Sequence, residues 1–389
     1  MMQKKFRAIH TKGLHVKKNI DIEFLRSIAI VFVIYAHLYN LFPWGQLTIL
    51  STYKYLDLWT GVDLFFCVSG YIITTSVIKT IPENRTLLSA ARFSIPFWIK
   101  RAWRLWPSAW VFLSLTTILS VAFSSSGIWG RPFENITYQI YAMLHMANFY
   151  GFECKINGTC GANQVYWSLS LEEQFYFLFP LIIFIFKKKY LPYAFLFIFI
   201  IQFPMDRGGS ILGFIRSDAI SLGALIAILQ QKRIFGILNP ESMCKKHISI
   251  PVLIGLLLSL VILGNSSVTI VPFSTGLVAV VSGILVWLAS FNKNYLTPFK
   301  FIRTTSMYLG SRSYSLYLAH IPAFFLTKEI FWRVQGGMHG LNGSYTLRYA
   351  AVGFIILVAL TEINYRAIEN PLRLKGRKIA EAKESMLEK

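Results

Sequence analysis

Uncharged apolar runs near 20 residues long recur along the whole chain, and they restrict its fold more than any other feature. Such a run can cross a hydrocarbon core about 30 Å thick as a helix, because a helix satisfies its backbone hydrogen bonds internally. Hydrophobic residues make up 54% of the chain and charged residues only 15%, which argues against soluble domains. The sequence therefore predicts an all-α, polytopic membrane helix bundle of about ten transmembrane helices. They are expected at 24–42, 61–78, 105–123, 167–186, 190–205, 211–230, 249–264, 268–290, 308–330 and 347–365.

The basic residues lie mainly on one side of this bundle. If the N-terminus is inside, the inside segments carry 29 of the 39 lysines and arginines and the outside segments carry 7. Because positive residues favour the cytoplasmic side of a membrane, both termini are expected in the cytoplasm. The net charge of +21 is thus explained by topology, and no nucleic-acid partner is expected. We expect cytoplasmic tails at 1–20 and 374–389, flanking a domain at 21–373 in the plasma (inner) membrane.

The first apolar run, residues 20–42, carries Arg26 near one end and His37 deep inside. Their spacing of eleven residues places them within roughly 20° of one helical face and about 16 Å apart along the axis. An ionisable residue in the middle of a bilayer costs about 2.5–3.5 kcal/mol and usually faces a protein interior or a wet cavity. The sequence therefore predicts that this helix lines an active site.

Acidic residues are expected at the outer ends of other spans. Asp63 begins the second span, and the adjacent Glu172 and Glu173 lie near the start of the fourth. Two carboxylates this close to the bilayer need partners, or one must bind a proton. Arg216 and Asp218 open the sixth span and are expected to pair with one another.

Arg101 and Arg104 lie three residues apart among tryptophans at the inner surface. One interpretation is an interfacial aromatic belt with anchoring arginines. The other is a site for phosphate groups, because the arginine fork matches phosphate oxygens. In the ninth span, Ser313, Tyr317 and His320 share one helical stripe.

The four cysteines indicate little chemistry. Cys154 and Cys160 enclose the sequence KINGT in a loop that the charge distribution places outside, where a disulfide can form. Cys67 and Cys244 are interpreted as packing or incidental thiols. No cysteine spacing resembles a zinc site, and no metal is expected. His145, in the same outer segment, is expected to be structural.

The polar residues favour group transfer at the membrane. Histidine near carboxylates suits acid–base chemistry near neutral pH, and a positive inner mouth suits a phosphorylated cytoplasmic substrate. A proton-coupled transporter with a His/carboxylate relay could carry the same residues. Such transporters commonly contain sequence repeats and broken helices, which this chain lacks at the sequence level.

Six blocks of the sequence, in this order, resemble the membrane acyltransferase family called acyltransferase 3. They are Arg26 followed after ten residues by His37, GVDLFFCVSGYIIT, KRAWRLWP, WSLSLEEQFYFLFP, SYSLYLAHIP and IENPLR, and they extend from residue 21 to 373. The resemblance implies a protein of roughly ten helices that transfers an acyl group, usually acetyl, from cytoplasmic acyl-CoA. The implied acceptor is a hydroxyl of a glycan or lipid-linked glycan, such as O-antigen, capsule or exopolysaccharide.

The resemblance also implies roles for single residues. His37 would be the catalytic histidine with Arg26 as its partner, Arg101 and Arg104 would contact the CoA phosphates, and Glu172 and Glu173 match the acidic pair. Asp63 or Glu172 could orient the imidazole, as the third residue of a catalytic triad does. Relatives often have Trp or Tyr before the histidine of the ninth span, so Ala319 is expected to reshape the acceptor pocket. That candidate pocket contains Ser313, Tyr317 and His320.

Two chemical routes stay open at this point. In one route His37 is a base that acts on the acceptor hydroxyl; in the other His37 is itself acylated and passes the group outward. In either case acyl-CoA is a co-substrate and no bound cofactor is expected. Because the chain ends soon after the tenth span, transfer is expected from the membrane domain alone, without an appended esterase-like domain.

Overall fold

The computed structural model describes residues 18–83, 86–207, 209–265, 271–337 and 342–388. Most of the predicted N-terminal tail (1–17) and the first three residues of the predicted eighth span (268–270) lie outside this part. The described residues form helices and connecting turns, and none of them forms a strand. This confirms the all-α prediction.

The described residues form fifteen α-helices, numbered here in chain order. They are α1 (Ile20–Ala36), α2 (Gln46–Tyr53), α3 (Gly61–Val77), α4 (Leu87–Ala122), α5 (Pro132–Met143), α6 (Ala147–Asn157), α7 (Tyr166–Ile185), α8 (Leu191–Gln202), α9 (Asp218–Leu229), α10 (Arg233–Ile237), α11 (Lys246–Gly264), α12 (Ser274–Ser290), α13 (Lys300–Gln335), α14 (Thr346–Asn364) and α15 (Asn370–Glu388).

Five helical segments of the described chain are long and apolar enough to cross a membrane: Leu87–Ala122, Tyr166–Ile185, Ile211–Leu229, Lys246–Gly264 and Gly343–Leu387. Three shorter apolar helices accompany them, Gly61–Val77, Leu191–Gln202 and Ser274–Ser290. Each of the ten predicted spans overlaps a helix of the described chain, while the count of ten membrane crossings stays a prediction. The membrane-like helices agree with the predicted class of protein.

Helix α1 ends earlier than predicted. The sequence predicted one helix over residues 20–42, but α1 stops at Ala36 and His37 is its C-cap. The imidazole Nδ1 of His37 donates to the carbonyl oxygen of Val33 at 2.8 Å, while the backbone N–H of His37 donates to Ile34. The side chain thus occupies the carbonyl that the next helical hydrogen bond would use, and the chain continues as a 3₁₀ turn at Leu38–Asn40.

The start of α1 is held by polar contacts from the other end of the sequence. Asp21 is buried and accepts hydrogen bonds from the backbone N–H groups of Tyr295 and Leu296 and from the Thr297 hydroxyl, at 3.0, 3.3 and 2.7 Å. Asn19 caps α1 and donates to the carbonyl of Ala289 at 2.7 Å. These contacts fix the position of α1 against the connection between α12 and α13.

Helix α4 is longer than the predicted third span. The sequence placed a surface segment at 79–104 and a span at 105–123, but a single 36-residue helix runs through both. Thr86 caps it in a reciprocal arrangement with Ser89. Arg101 and Arg104 therefore belong to the same continuous helix as the span, one turn apart on one face.

Helices α3 and α9 pack closely because each has a glycine at the crossing. A Cβ at Gly70 would overlap the backbone carbonyl of Ile220, and a Cβ at Gly223 would overlap that of Cys67. Small residues permit such close approach between membrane helices. This crossing sets the position of the α3 residues that line the site described below.

Replacing Gly223 with alanine should destabilise the bundle, because the new methyl group meets backbone atoms that cannot rotate away. Overpacking of this kind costs about 1–3 kcal/mol or more. The measurement is the thermal unfolding midpoint of the detergent-solubilised protein. Gly255→Ala on α11 is the control, since a Cβ there meets nothing within 4 Å and should leave the midpoint equal or slightly higher. Equal midpoints for Gly223→Ala and the wild type would contradict this account of the crossing.

Candidate active site

An inner cavity of about 80 Å³ lies among helices α1, α3, α4, α7 and α13. Six of the ten residues predicted for the site line it: Arg26, Arg101, Arg104, Glu172, Ser313 and Tyr317. They come from four different helices that are distant in sequence. The fold thus brings the predicted arginines, one predicted glutamate and part of the predicted acceptor stripe to one place.

The three arginines of the inner cavity differ in their partners. Arg26 donates to both carboxylate oxygens of Glu23 at 3.2 Å, one turn earlier in α1. Arg101 donates to the Ser76 hydroxyl at 3.2 Å, and its guanidinium lies 5.6 Å from the centre of the Tyr176 ring. Within the described chain, neither Arg101 nor Arg104 forms a salt bridge with a carboxylate. The cavity is therefore positive and suited to an anionic group.

Glu172 lies in this inner cavity and not in a separate outer group. Its Oε1 accepts hydrogen bonds from the hydroxyls of Ser69 and Tyr176. The prediction that Glu172 belongs with the outer residues, away from the arginines, was wrong, because it lines the same cavity as Arg26, Arg101 and Arg104. Tyr176 lies four residues after Glu172, so the helical spacing indicated their contact, whereas Ser69 comes from another helix and was missed.

The predicted stripe on α13 consists of Ser313, Tyr317 and His320. It begins at the inner cavity and continues into the protein interior. The Tyr317 hydroxyl donates to the carbonyl of Val165 at 2.6 Å and is 2.6 Å from the Ser168 hydroxyl. Ser313 is fully buried, and its hydroxyl has no hydrogen-bond partner in the described part of the chain. His320 lies beyond Tyr317, with ring centroids 5.6 Å apart.

His37 and His320 lie side by side, with ring centroids 5.1 Å apart. The Nδ1 of His320 donates to the carbonyl of Tyr317 at 2.6 Å, as that of His37 donates to Val33. When neutral, each ring therefore carries its proton on Nδ1 and keeps a lone pair on Nε2, which can take up a proton. His320 is completely buried, and its Nε2 lacks a partner among the described atoms.

A second, outer cavity of about 1010 Å³ begins at His37. Its wall combines aromatic side chains with polar ones, among them Tyr39, Tyr53, Trp59, Trp167, Asp57, Lys155, Gln164 and Asp206. Val62 of α3 lines both this cavity and the inner one. The two cavities therefore approach each other at Val62, close to the histidine pair.

Asp63 and Glu173 line neither the inner nor the outer cavity. Asp63 is fully buried and forms a salt bridge with Arg216 at 2.9 Å. A Glu173 carboxylate oxygen is hydrogen-bonded to the Nδ1 of His145, whose ring stacks on Trp106 with centroids 5.4 Å apart. The carbonyl of Val33 orients the His37 ring, while Asp63 and Glu172 bind other partners.

The predicted pair of Arg216 with Asp218 is wrong. Arg216 binds Asp63, and Asp218 binds Arg207 at 2.9 Å, with both members of that second pair almost completely buried. Arg216 also lies over the rings of Trp59 and Trp167, at 5.0 and 5.2 Å. Residues two apart at a helix end point in different directions, so each finds a partner on another segment.

Cys154 and Cys160, for which the sequence left a disulfide open, are bonded to each other. Cys160 and the enclosed Lys155 both line the outer cavity. Within the described residues, no group of three or more histidines, cysteines and carboxylates is arranged to hold a metal ion.

The apolar helical fold, with an arginine-lined cavity and a larger cavity that share Val62, is that of a multi-pass membrane protein. A family model for the acyltransferase domain of the acyltransferase 3 type matches residues 19–362. Since this match covers most of the chain, the protein belongs to the acyltransferase 3 family.

Curated relatives include a Staphylococcus aureus (strain COL) protein named "Putative O-acetyltransferase", 24% identical over 94% of this chain and 60% of that protein. Another is the O-acetyltransferase OatA of S. aureus (strain NCTC 8325), 23% identical over 81% of this chain and 53% of OatA. The chain thus spans a little over half the length of these relatives. No solved structure matches it.

Removing one member of the Asp63–Arg216 pair should destabilise the protein, because the other charge stays buried without compensation. We expect Arg216→Gln to lower the free energy of unfolding by about 3–5 kcal/mol. The double variant with Asp63→Asn should recover part of that loss. The measurement is the thermal midpoint of the four proteins of this mutant cycle.

The control for the Asp63–Arg216 cycle is the exposed pair Arg377–Glu381 on α15, with a closest approach of 2.8 Å. Its loss should cost less than about 1 kcal/mol. A midpoint for Arg216→Gln no lower than that for Arg377→Gln would contradict a structural role for the buried pair.

Proposed function

We propose that this chain is a membrane O-acyltransferase that moves an acyl group, most simply acetyl, from cytoplasmic acyl-CoA to a hydroxyl of an extracytoplasmic glycan. The acceptor would be a glycan or lipid-linked glycan of the O-antigen, capsule or exopolysaccharide type. Family membership and the names of the relatives support acyl transfer. The observation that carries the proposal is an arginine-lined cavity that shares Val62 with a larger cavity lined by His37.

The proposal includes a topology. We assign ten spans, cytoplasmic termini and the plasma (inner) membrane, with residues 21–373 as the transferase domain and 1–20 and 374–389 as its tails. The excess of lysine and arginine in the inside segments supports this orientation. The inner cavity would then open to the cytoplasm, where acyl-CoA is made, and the outer cavity to the other side.

The inner cavity suits the donor. Arg101 and Arg104 lack carboxylate partners in the described chain and can bind phosphate groups, with Arg26 beside them. The uncharged pantetheine arm would extend along α1 towards His37. Helix α1 rises about 15 Å over the ten residue steps from Arg26 to Ala36, which is close to the reach of that arm.

The outer cavity suits a sugar acceptor. Its volume of about 1010 Å³ exceeds that of the inner cavity by more than tenfold. Its aromatic side chains can pack on the apolar faces of sugar rings, and its carboxylates and amide can bind hydroxyl groups. These are the polar and aromatic wall residues named above.

We assign His37 as the base, because it lines the cavity that the acceptor would enter. Its Nε2 would take the proton of the acceptor hydroxyl as the hydroxyl oxygen attacks the thioester carbonyl. The carbon–sulfur bond then breaks, the ester forms, and the imidazolium returns the proton to the CoA thiolate. The bond from Nδ1 to the Val33 carbonyl would hold the ring and stabilise its charged form.

Replacing His37 with alanine should reduce transfer by about 100-fold or more, since general base catalysis contributes about 10²–10⁴-fold. The measurement is release of CoA thiol from acetyl-CoA by purified protein with a panel of candidate glycans. His247→Ala, an exposed histidine at the start of α11, is the matched control and should retain full activity. Unchanged turnover in His37→Ala would disprove the assignment. Solute uptake by proteoliposomes without CoA release would instead indicate the transporter alternative.

Replacing both Arg101 and Arg104 with alanine should raise the KM for acetyl-CoA by about tenfold to a hundredfold, because charge-assisted hydrogen bonds are worth about 1.5–3 kcal/mol. The value of kcat should change less, since these residues bind a part of the donor that does not react. Lys188→Ala, an exposed cation in the predicted inside loop after α7, is the control. A KM equal to that of the wild type would restore the interpretation as interfacial anchors.

A further inference from the structure

Four cations gather where α1 begins, and we call them the inner-mouth cluster: Lys18, Arg26, Arg104 and Arg373. Burial lowers the pKa of Lys18, Glu23 opposes this effect, and Arg26, Arg373 and Arg104 lower the pKa further. The three guanidinium groups are therefore near enough to Lys18 to repel its charge.

Helix α15 packs against the first half of α4 in the opposite direction. The Lys100 ammonium is 3.9 Å from the Glu384 carboxylate. Three residues further along α4, Trp103 contacts Gly376, which lies eight residues earlier in α15, and a Cβ at Gly376 would overlap the indole. The order of these two contacts shows that the helices are antiparallel.

This packing brings Arg373 towards Arg104, although Arg373 does not itself line the inner cavity. Arg373 lies three residues before Gly376 and therefore on the same side of α15, the side that faces α4. Because the helices are antiparallel, it lies further along α4 than Trp103, in the direction of Arg104. The Arg373 guanidinium donates to the Asn370 side chain at 2.7 Å and is partly buried.

The inner-mouth cluster has too few negative partners among the described residues. Glu23 is 3.2 Å from Arg26 and 4.0 Å from Lys18, and the buried Glu369 is near enough to Arg26 to attract its charge, while Arg104 and Arg373 form no salt bridge in the described chain. Four cations thus face two carboxylates. Like charges held together in a partly buried place repel one another, and a bound anion relieves the repulsion. The site is thus built for a ligand with more than one negative charge.

We propose that the inner-mouth cluster binds the phosphate groups at the nucleotide end of the thioester donor, and that Arg373 of α15 and Lys18 are part of this site. This inference rests on the proposed function. The donor has all its negative charge at one end and a neutral arm at the other. The neutral arm can enter the small inner cavity only if the charged end stays at its mouth, where the cluster lies.

The test is equilibrium binding of two ligands, CoA and pantetheine, to the purified full chain in a neutral detergent. Arg373→Gln should raise the Kd for CoA by about tenfold, the effect of about 1.4 kcal/mol, and leave the Kd for pantetheine unchanged. Lys18→Gln should act in the same direction. Arg373→Lys keeps the charge and should recover most of the affinity for CoA. The unchanged Kd of Arg373→Gln for pantetheine shows that this variant is folded. Arg377→Gln, exposed on the same helix and paired with Glu381, should bind as the wild type does.

Equal CoA affinity in Arg373→Gln and wild type, or an equal loss for pantetheine, would overturn the inference while leaving the proposed function intact. Failure of the wild type to bind CoA at all would instead remove the proposed donor. A lipid phosphate has the same chemistry, so binding is repeated in nanodiscs of phosphatidylcholine and of phosphatidylglycerol. If Arg373→Gln lowers the affinity for CoA relative to the wild type in phosphatidylglycerol nanodiscs but not in phosphatidylcholine nanodiscs, the cluster binds lipid headgroups, and the proposed donor site is overturned.

Discussion

The hydrogen bond from the His37 imidazole to the carbonyl of Val33 determines much of this architecture. It takes the acceptor of the next helical bond and ends α1 inside the protein, so the chain turns aside and the large outer cavity begins there. The same bond fixes the orientation and the proton of the ring. One interaction thus ends a helix and bounds a cavity, and on the proposed function it also orients the base, a candidate that lies at a helix end rather than mid-helix.

The buried charges divide into two groups by their partners. Asp63 with Arg216 and Arg207 with Asp218 neutralise each other near the first residues of α3 and α9, where they hold segments together. In the inner cavity Arg26 binds Glu23, whereas the half-buried Arg101 and Arg104 form no salt bridge with a described carboxylate. A partly buried charge without a partner is costly, and on the proposed function the phosphate groups of the donor would supply that partner. On this proposal the first group of charges stabilises the fold and the second binds the substrate.

The sequence predicted the helices well, because the length and apolarity of each run are local properties. It also predicted that Arg101 and Arg104 share a face, and the helix places both on the inner cavity. It failed where the result depends on a neighbour from elsewhere in the chain. Neither the partner of Arg216 nor the position of Glu172 beside the arginines follows from spacing, since both are set by how helices pack. The roles of these residues in catalysis stay predictions.

Val62, which lines both cavities, has a consequence for the electrical properties of the membrane. On the proposed topology, two aqueous spaces enter from opposite sides and are separated there by little more than one layer of side chains. The transmembrane potential, worth about 2.3 kcal/mol per elementary charge at 100 mV, would then fall across this thin partition and not across the full bilayer. The side chains of this partition must prevent proton leakage while an acyl group passes. Elsewhere in the membrane the lipid hydrocarbon prevents that leakage.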